Sequence, residues 1–410
     1  MNPRILLLES NTTGTGLLFF KRSLALGLEP VLISDDPSRY PFLRNYVSLK
    51  ICDRSVRGVL DALDRYNLDA GDQLIAGVWS SSDQGIELAA RVAHELGCSH
   101  ADPAAIALCR DKYAARHRLS AVGLSNIAYA LVRDAEAAAS FAASVGGPVV
   151  VKPRSSTGSI GVKLCATPIE AANHTEALFG DIGDSGQQGV LVEKFVSGPE
   201  YSVEIFDAVS IGVTRKLLGP PPAFVEVGHD FPSPGPRSVL AAIVEHAERA
   251  IAAAGHLRGP AHVEVRLAAE GPIVIEINPR LAGGLIPELV RRATGIDLIT
   301  TSIQFACGMP YELCSSHVSA ASIRFLCRST PAAVHRLEGL PDARLAAGIV
   351  DAGILDRGLG RAGPITDFRD RLAYVIAEAI APDEAGSIAD HALTLLHGVS
   401  TPHSMEADNA

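Results

Sequence analysis

The sequence has few cysteines and no long apolar run. Its seven cysteines are scattered over 410 residues without a CxxC pair or a Cys/His cluster, which argues against a disulfide framework and against a zinc site. The first apolar run, in MNPRILLLES, meets Glu9 too early for a signal peptide. No stretch approaches the roughly 18 uninterrupted apolar residues of a membrane span. These absences predict a soluble, cytoplasmic protein with reduced thiols and no membrane partner.

Positive charge is also scarce. The chain has 36 Lys and Arg residues against 46 Asp and Glu residues, which gives a formal net charge of −10. Nucleic-acid-binding surfaces carry surplus positive charge, so we expect no nucleic-acid partner, although local basic pockets can still bind phosphate. What is present is a globular composition, with 47% hydrophobic and 20% charged residues, and a length that predicts two or three domains.

The first hundred residues alternate between strand and helix patterns. An aliphatic strand over residues 4–8 is followed by SNTTGTG, a helical stretch over 17–26 and the strand PVLIS. This order predicts a parallel, Rossmann-like α/β domain. Further on, residues 102–124 are helical with a break at Gly123, and residues 220–238 form a proline-rich loop.

The segment AHVEVRLAAEGPIVIEINPR predicts a β-hairpin with its turn near Glu270. Side chains alternate across a strand, and a register symmetric about Glu270 places Glu264 opposite Glu276 and His262 opposite Asn278. Arg266 and Arg280 share this polar face. The other face is apolar and is expected to be buried, and it consists of Val263, Val265, Leu267, Ile273, Ile275 and Ile277.

The polar face of this hairpin has the ligand types of a magnesium site. Two carboxylates directly opposite each other repel without a compensating charge, and Mg²⁺ prefers carboxylate and amide oxygens together with substrate phosphates. Glu264, Glu276 and Asn278 supply these oxygens, and Arg280 suits a phosphate or carboxylate beside the metal. A solvated face with Glu and Arg paired across the strands explains the same pattern equally well.

A possible phosphate site lies in VVVKPRSSTGSIGVK. Lys152 ends an apolar strand, and the small residues that follow can bring backbone N–H groups and hydroxyls to phosphate oxygens. These residues are Ser155, Ser156, Thr157, Gly158, Ser159 and Gly161. The spacing is not that of a Walker A loop, and a plain hairpin turn is the competing interpretation.

Residues 190–206 predict two strands joined by a Ser-Gly-Pro turn. The backbone of Glu193, Lys194, Phe195 and Val196 can bond an adenine edge, and Glu200 can accept hydrogen bonds from ribose hydroxyls. An ordinary hairpin with a wet face is the alternative. Lys112, on a helix, is by itself uninformative, because lysine is common on helix surfaces.

The order of these motifs resembles the ATP-grasp superfamily over roughly residues 106–300. The motifs are Lys112, Lys152, the Gly/Ser loop, EKFVSGPEYSVE, Glu264 and EINPRLAGG. The resemblance implies that Lys112 and Lys152 bind phosphates, that residues 155–161 close over ATP, and that residues 193–196 and Glu200 hold the adenosine. It also implies that Glu264, Glu276 and Asn278 bind Mg²⁺, usually two ions, with Mn²⁺ as a substitute, and that Arg280 steadies the transferred phosphoryl group.

The resemblance also implies a fold that mixes α/β and α+β domains. We expect a Rossmann-like domain over 1–105, a two-lobed ATP-grasp domain over 106–310 with lobes 106–188 and 189–310, and a small C-terminal α+β closing domain over 311–398. The polar tail, residues 399–410, is expected to be disordered. A homodimer is compatible with the resemblance.

The sequence further resembles bacterial L-amino-acid ligases, through KLLGPPPAFVEVGHDFPSP. At the start of this segment, Arg215 or Lys216 is expected to reach the γ-phosphate, with Arg215 as the assigned nucleotide contact. Glu226 and His229 are expected at the amino-acid substrate, and the catalytic set is Arg280, Lys152 and His229. Gly283 and Gly284 would let the backbone approach a substrate carboxylate.

The implied activity is ATP-dependent ligation of a small carboxylate, an amino acid by preference, to an amine. Two alternatives stay open. One is a purine-pathway or carboxyphosphate-type ATP-grasp enzyme, and the other is a nucleotide-binding regulator without turnover. The intact set of Glu264, Glu276, Asn278 and Arg280 argues against the regulator.

Overall fold

The structure is a computed structural model that describes residues 2–12, 14–66, 74–182, 189–255 and 257–400. Residues 401–410, most of the expected disordered tail, lie outside this range. Within it, none of the helices is both long and apolar enough to cross a membrane.

The N-terminal residues form a parallel sheet with helices packed on it. Its elements are β1 (Arg4–Leu8), α1 (Gly16–Ala25), β2 (Glu29–Ser34), β3 (Val47–Lys50), α2 (Val56–Arg65), β4 (Ile75–Trp79) and α3 (Ile86–Glu95). The strand order is β3-β2-β1-β4, and all pairs are parallel. The chain adds β2 and β3 on one side of β1 and β4 on the other side. The loops after β1 and β4 therefore diverge and leave a crevice at the carboxyl ends of these strands, where α/β sheets bind ligands. The expected Rossmann-like alternation is confirmed.

Two short helices follow where the sequence predicted one helical stretch. They are α4 (Pro103–Arg110) and α5 (Lys112–Ala121). The break lies at Asp111, whose carboxylate accepts the backbone N–H groups of Tyr113 and Ala114 and so caps α5. Lys112 is therefore the first residue of a helix, where its side chain is 5% exposed, and not a surface lysine in mid-helix.

A second, antiparallel sheet of four strands has the order β5-β8-β6-β7. Its elements are β5 (Tyr129–Val132), α6 (Ala135–Val145), β6 (Val149–Pro153), β7 (Lys163–Cys165), α7 (Pro168–Ile182) and β8 (Val190–Lys194). Since β8 pairs with β5 and β6, the chain changes sheet at 195–199, and not at the expected lobe limit of 188. The Ser-Gly-Pro segment thus connects two sheets, and it is not the turn of a hairpin.

An eight-stranded antiparallel sheet forms the rest of the frame, in the order β13-β12-β9-β10-β11-β14-β17-β16. Its strands and the helices around it are β9 (Glu200–Phe206), β10 (Val209–Leu218), β11 (Glu226–Phe231), α8 (Arg237–Ala253), β12 (Pro260–Ala268), β13 (Gly271–Asn278), α9 (Ile286–Thr294), α10 (Leu298–Ala306), β14 (Ala320–Cys327), α11 (Leu340–Leu345), β16 (Ile349–Ile354), β17 (Arg371–Ala379) and α12 (Pro382–Leu393). A separate two-stranded sheet pairs β15 (Arg336–Glu338) with β18 (His397–Val399).

Two parts of this sheet differ from the sequence-based expectation. Strand β11 lies inside the predicted proline-rich loop and pairs with β10 and β14. Strands β14, β17 and β16 continue the same sheet, so most strands expected in a separate closing domain extend the neighbouring lobe. Apolar residues of β14 and β17, including Ile323, Phe325 and Ile376, belong to the same core as residues of β9 and β12.

The predicted hairpin register is correct at its polar end. His262 pairs with Asn278, Val263 with Ile277 and Glu264 with Glu276. A bulge then shifts the register by one residue, so that Val265 faces Val274. Val274 is fully buried, and Ile275, expected in the core, borders the central cleft. A bulge leaves one residue unpaired and redirects its side chain.

Candidate active site

The central cleft has a volume of ≈ 850 Å³ and opens between all three parts of the chain. The parallel sheet contributes the loops after β1, β2 and β4. The four-stranded sheet contributes the end of β6 and the loop after it, and the eight-stranded sheet contributes β9 to β14 and β17. A cavity of this size is in the range of small-molecule sites.

Two lysines predicted to bind phosphate lie at one end of the cleft. Lys152 ends β6, is 5% exposed and forms an ion pair with Glu193. Burial raises the pKa of Glu193, but the charges of Arg116 and Lys152 outweigh it and bring the pKa to about 2. Lys112 binds Oε1 of Glu276 at 3.0 Å and the backbone oxygen of Ser156 at 2.7 Å. Both ammonium groups are therefore held in place from the first turn of a helix and the end of a strand.

The loop of residues 155–161, here called the phosphate loop, covers this end of the cleft. Ser156, Thr157, Gly158 and Ser159 border the cleft, whereas Ser155 and Gly161 do not. The Ser159 hydroxyl donates to the backbone oxygen of Phe224 at 3.0 Å. Gly158 has φ +60°, and a Cβ there would lie 2.3 Å from the ring of Phe368.

Residues 193–196 and Glu200, which form the predicted adenosine site, border the same end of the cleft as Lys152. The guanidinium of Arg266 lies over the rings of Phe195 and Phe224, 5.1 and 5.2 Å from their centroids. It also donates to Glu200 at 2.9 Å and to the backbone oxygen of Val196 at 2.8 Å. This arrangement offers a flat apolar wall beside backbone groups and a carboxylate, which suits a nucleoside.

The three predicted metal ligands share one face of the β12–β13 hairpin. Glu264 and Glu276 are direct cross-strand neighbours and both border the cleft, while Asn278 is 4% exposed and accepts a hydrogen bond from Arg280 at 3.4 Å. In the part of the chain that the structure describes, no three His, Cys, Asp or Glu side chains form a metal site on their own. Two carboxylates and an amide oxygen nevertheless fit Mg²⁺, which takes one or two protein carboxylates and completes its shell with water and phosphate.

A buried ion pair that the sequence did not predict lies beneath these carboxylates. Nδ1 of His262 is 3.0 Å from Glu204, and its Nε2 is 3.3 Å from Glu264. Glu204 also accepts the hydroxyls of Ser202 and Thr214. Burial lowers the pKa of His262, but the charge and hydrogen bond of Glu204, with Glu264, outweigh it and raise the pKa to about 9. His262 is therefore cationic near neutral pH and supports the orientation of Glu264.

Lys216, and not Arg215, faces the cleft from β10. The ammonium of Lys216 lies 2.8 Å from Glu226, 2.8 Å from Glu264 and 2.9 Å from Glu200. Burial lowers its pKa, but the three carboxylates outweigh burial and raise the pKa well above the usual value. Arg215 points to the opposite face, where it binds Asp230 at 2.8 Å and does not border the cleft. The assignment of Arg215 to the nucleotide is wrong because neighbouring residues of a strand face opposite sides.

Glu226 borders the cleft and lies between two cations. One of its oxygens binds Lys216, and the other lies 2.8 Å from Arg371 of β17. Arg371 also donates to the backbone oxygen of Glu226 and stacks 4.0 Å above the ring of Phe325. The expected position of Glu226 in the site is thus consistent with its surroundings, and Arg371 is a neighbour that the sequence motifs did not reveal.

His229 does not border the cleft. It is 0% exposed, neither ring nitrogen has a hydrogen-bond partner among the described residues, and its Nε2 lies 3.5 Å from Glu226. Burial lowers its pKa to about 3, against the opposing charge of Glu226, so the ring is neutral. The expected direct contact of His229 with substrate is not supported, since the imidazole lies behind the cleft surface.

The reason for glycine at residue 284 is also visible. Gly284 has φ +59°, and a Cβ there would lie 2.5 Å from Nε2 of His229. Gly283 has no such neighbour within 4 Å. Both glycines border the cleft, but Gly284 is required by the imidazole behind it, which the sequence alone did not indicate.

Arg280 is held by a carboxylate from the N-terminal sheet. It forms an ion pair with Asp83, in the loop after β4, and donates to the backbone oxygen of Leu281 at 2.8 Å. Asp83 also binds Arg110 at 2.5 Å. Burial raises the pKa of Asp83, but the charges of Arg280 and Arg110 hold it well below its usual value. Asp83 was not predicted, because an aspartate in a polar loop carries no distinguishing pattern.

Comparisons with known proteins agree with this geometry. A family model for the ATP-grasp domain matches residues 145–288. The uncharacterized protein y4rH of Sinorhizobium fredii is 32% identical over 98% of this chain and 84% of its own length. Carnosine synthase 1 of Gallus gallus is 29% identical over 55% of this chain, and the match covers only 25% of that longer protein.

The fold has a counterpart among solved structures. The L-amino acid ligase from Bacillus licheniformis superposes with a TM-score of 0.81 at 19% sequence identity, over 98% of this chain and 99% of that one. At this identity the likeness shows a shared fold, which extends from the N-terminal parallel sheet to the C-terminal strands.

Proposed function

This chain belongs to the ATP-grasp family of ADP-forming carboxylate–amine ligases, and from that premise we propose that it joins an amino acid, or a similar small acid, to an amine. The products are a dipeptide or amide, ADP and phosphate. One observation carries the proposal: Glu264 and Glu276 lie side by side at the cleft, and each binds a buried lysine, Lys216 and Lys112. Paired anions and cations at one end of a cleft suit a magnesium–triphosphate complex.

The nucleotide lies at the end of the cleft covered by the phosphate loop. Lys112, Lys152 and Lys216 bind the phosphates, residues 193–196 bind the adenine edge, and Glu200 binds the ribose. Glu264, Glu276 and Asn278 hold Mg²⁺, which shields the charge of the transferred phosphoryl group when bound. The three lysines now neutralise the protein's own carboxylates, so nucleotide binding exchanges these partners for phosphate oxygens.

The reaction then proceeds in two displacements. A carboxylate oxygen of the acid attacks the γ-phosphorus, the bond from that phosphorus to the β–γ bridging oxygen breaks, and ADP leaves. The amine nitrogen attacks the acyl carbon, the carbon–oxygen bond to phosphate breaks, and the amine loses a proton. Arg280 stabilises charge on the transferred phosphoryl group, and the enzyme acts mainly by alignment and charge neutralisation.

The acid and the amine lie beyond Glu226, towards the N-terminal loops and β17. Glu226, Gly283 and Gly284 border this part of the cleft together with Arg280 and Arg371. Phe368 packs against Gly158 of the phosphate loop, and we expect the loop and this ring to exclude water once the substrates are bound. Exclusion of water matters because an acyl-phosphate hydrolyses when water reaches it.

Several sequence-based expectations stay predictions. These are the homodimer, the cytoplasmic location and the use of Mn²⁺ in place of Mg²⁺. The proposed domain limits at residues 105 and 310 are of the same kind.

ADP release with a panel of carboxylates, with and without amines, tests the proposal. Release that depends on both an amino acid and an amine, with a product whose mass equals their condensation, supports it. Release that depends on bicarbonate or formate instead favours the carboxyphosphate or purine-pathway alternative. Binding of ATP without release under any combination favours the regulator.

A further inference from the structure

Asp83, in the loop after β4, forms ion pairs with two arginines from other parts of the chain. Its side chain is 4% exposed, Oδ1 binds Arg110 at 2.5 Å, and Oδ2 binds Arg280. Arg110 ends α4, whereas Arg280 follows the metal-binding strand β13. A carboxylate buried to this degree is costly unless it is paired, so both ion pairs contribute to keeping it charged.

Among the residues that the structure describes, Asp83 is the carboxylate that forms an ion pair with Arg280. The remaining hydrogen bonds of Arg280 go to the neutral oxygens of Leu281 at 2.8 Å, Thr157 at 3.4 Å and Asn278 at 3.4 Å. The bond to Leu281 is local to its own backbone. Asp83 is therefore the charged group that determines where the guanidinium points.

Two of the carboxylates proposed to bind the metal also lie near Arg280. Glu276 and Glu264 both act on Arg280 through their charge, although neither forms an ion pair with it. An arginine side chain has several rotatable bonds and can turn to a new partner. Without Asp83 the guanidinium would be drawn towards Glu276 and Glu264, where it would compete with a bound cation.

Resting on the proposed function, we propose that Asp83 is a positioning residue that aims Arg280 at the transferred phosphoryl group and keeps it away from the metal-binding carboxylates. The contact reaches from the N-terminal sheet to the catalytic arginine, and the phosphate loop joins it through Thr157. The guanidinium of Arg280 is thus oriented only when Asp83 of the N-terminal loop and Thr157 of the phosphate loop both contact it. The orientation of the arginine depends on two substrate-bordering segments at once.

Asp83→Asn tests this role, because the amide keeps the shape and removes the charge. We expect kcat for ADP release to fall by about 10- to 100-fold, as for other groups that orient a site residue, with little change in KM for ATP. We also expect a higher Mg²⁺ concentration to be needed for half of the thermal shift that ADP induces. This second measurement needs no turnover and no knowledge of the acid or the amine.

Arg110→Gln is the matched control, since it removes the other ion pair of Asp83 and leaves the pair with Arg280. We expect it to keep kcat and the Mg²⁺ requirement near the wild-type values. If Asp83 only held the parts of the chain together through its two ion pairs, Arg110→Gln and Asp83→Asn would behave alike. In an Arg280→Gln background, Asp83→Asn should cause no further loss of kcat, because groups that act through one another are not additive.

Three results would overturn the inference. They are wild-type kcat and Mg²⁺ requirement in Asp83→Asn, an equal loss in Arg110→Gln, or a full additional loss in the Arg280→Gln background. A wild-type protein that releases no ADP with any acid and amine would instead contradict the proposed function, and the Mg²⁺-dependent thermal shift would still decide the role of Asp83.

Discussion

At the scale of single residues, the cleft is built from buried charges that are paired with one another. Lys216 contacts three carboxylates, and Glu226 and Glu200 each contact two cations. A buried charge that loses its partner is strongly destabilising, so each of these side chains is held in one orientation by the next. Substrates that bring phosphate and Mg²⁺ can replace such partners without leaving a charge unpaired.

The first prediction concerns Glu276. Glu276→Gln removes the charge that Lys112 and Mg²⁺ share, so we expect ADP formation to be lost while the protein stays folded. Glu270→Gln is the matched control, because it makes the same change in the exposed turn of the same hairpin. Turnover assays and circular dichroism of both variants are the measurement, and wild-type turnover in Glu276→Gln would remove the metal assignment.

The second prediction concerns His229 and pH. Because its pKa is about 3 in the folded protein and about 6.5 when exposed, the unfolded chain binds this proton first as pH falls. Its neutral form therefore favours folding above pH 6.5, and this contribution is lost as pH falls from 6.5 towards 3, by about 1.4 kcal/mol per pH unit.

Chemical unfolding of wild type and His229→Gln between pH 4.5 and 6.5 checks this sign. The free energy of unfolding of wild type should fall more steeply with decreasing pH than that of the variant. Equal slopes would show that His229 can take up a proton in the folded protein.

Residue-scale chemistry was only partly predictable from the sequence. The sequence predicted Glu264, Glu276 and Glu200 at the site, and all three border the cleft. Glu264 and Glu276 stand in strand patterns whose faces can be counted, and Glu200 stands just past a predicted turn. Arg215 was preferred over Lys216, but both are cations on one strand, and the sequence does not show which of them faces the cleft. Only the packing of β10 shows this. Asp83 and Arg371 come from other parts of the fold, and no local pattern links them to the motif around Arg280.

At the scale of elements, alternation and turn signals predicted the strands that are polar on one face and apolar on the other. The β12–β13 hairpin follows this pattern up to its bulge, which no alternation pattern predicts because it inserts one residue. Strand β11 was missed because prolines flank it on both sides, although its interior has none. Its pairing with β10 and β14 depends on contacts distant in sequence.

The phosphate loop yields a prediction at this scale. Gly158→Ala places a Cβ against Phe368 at a positive φ. We therefore expect the loop to be displaced from its position above the nucleotide and the ATP-induced thermal shift to become smaller. Gly146→Ala is the control, because Gly146 also has a positive φ, of +67°, but nothing lies within 4 Å of its Cβ position.

Both substitutions cost about 1 kcal/mol of backbone strain, so their difference reports the contact with Phe368. A thermal shift that is equally small in both variants would contradict a role for the contact between the phosphate loop and Phe368. A normal shift in Gly158→Ala would do the same.

At the scale of the whole molecule, the C-terminal strands are part of the main sheet and core. A chain that ends at residue 310 would expose the edge of β11 and remove Ile323, Phe325 and Ile376 from the core. Unpaired apolar edges promote aggregation, so we expect this shortened chain to be insoluble. A chain that ends at residue 400 keeps all the described strands and helices and is the control, which should unfold like the 410-residue chain.

Soluble yield and the cooperativity of unfolding are the measurements for these two chains. A soluble 1–310 chain with a cooperative transition would show that residues 311–398 form an independent domain, as the sequence suggested. The sequence did not reveal the continuous sheet, because strand order depends on pairings between segments far apart in the chain.

The central claim is that this cleft converts a carboxylate into an acyl-phosphate, and the fate of one oxygen atom tests it most directly. The protein is incubated with ATP, Mg²⁺ and the twenty amino acids, each carrying ¹⁸O in its α-carboxylate, and the inorganic phosphate formed is analysed by mass. The account predicts phosphate that contains one ¹⁸O atom, because the acid's oxygen stays on phosphorus when the amine displaces it. ADP formation accompanied only by unlabelled phosphate would contradict the account.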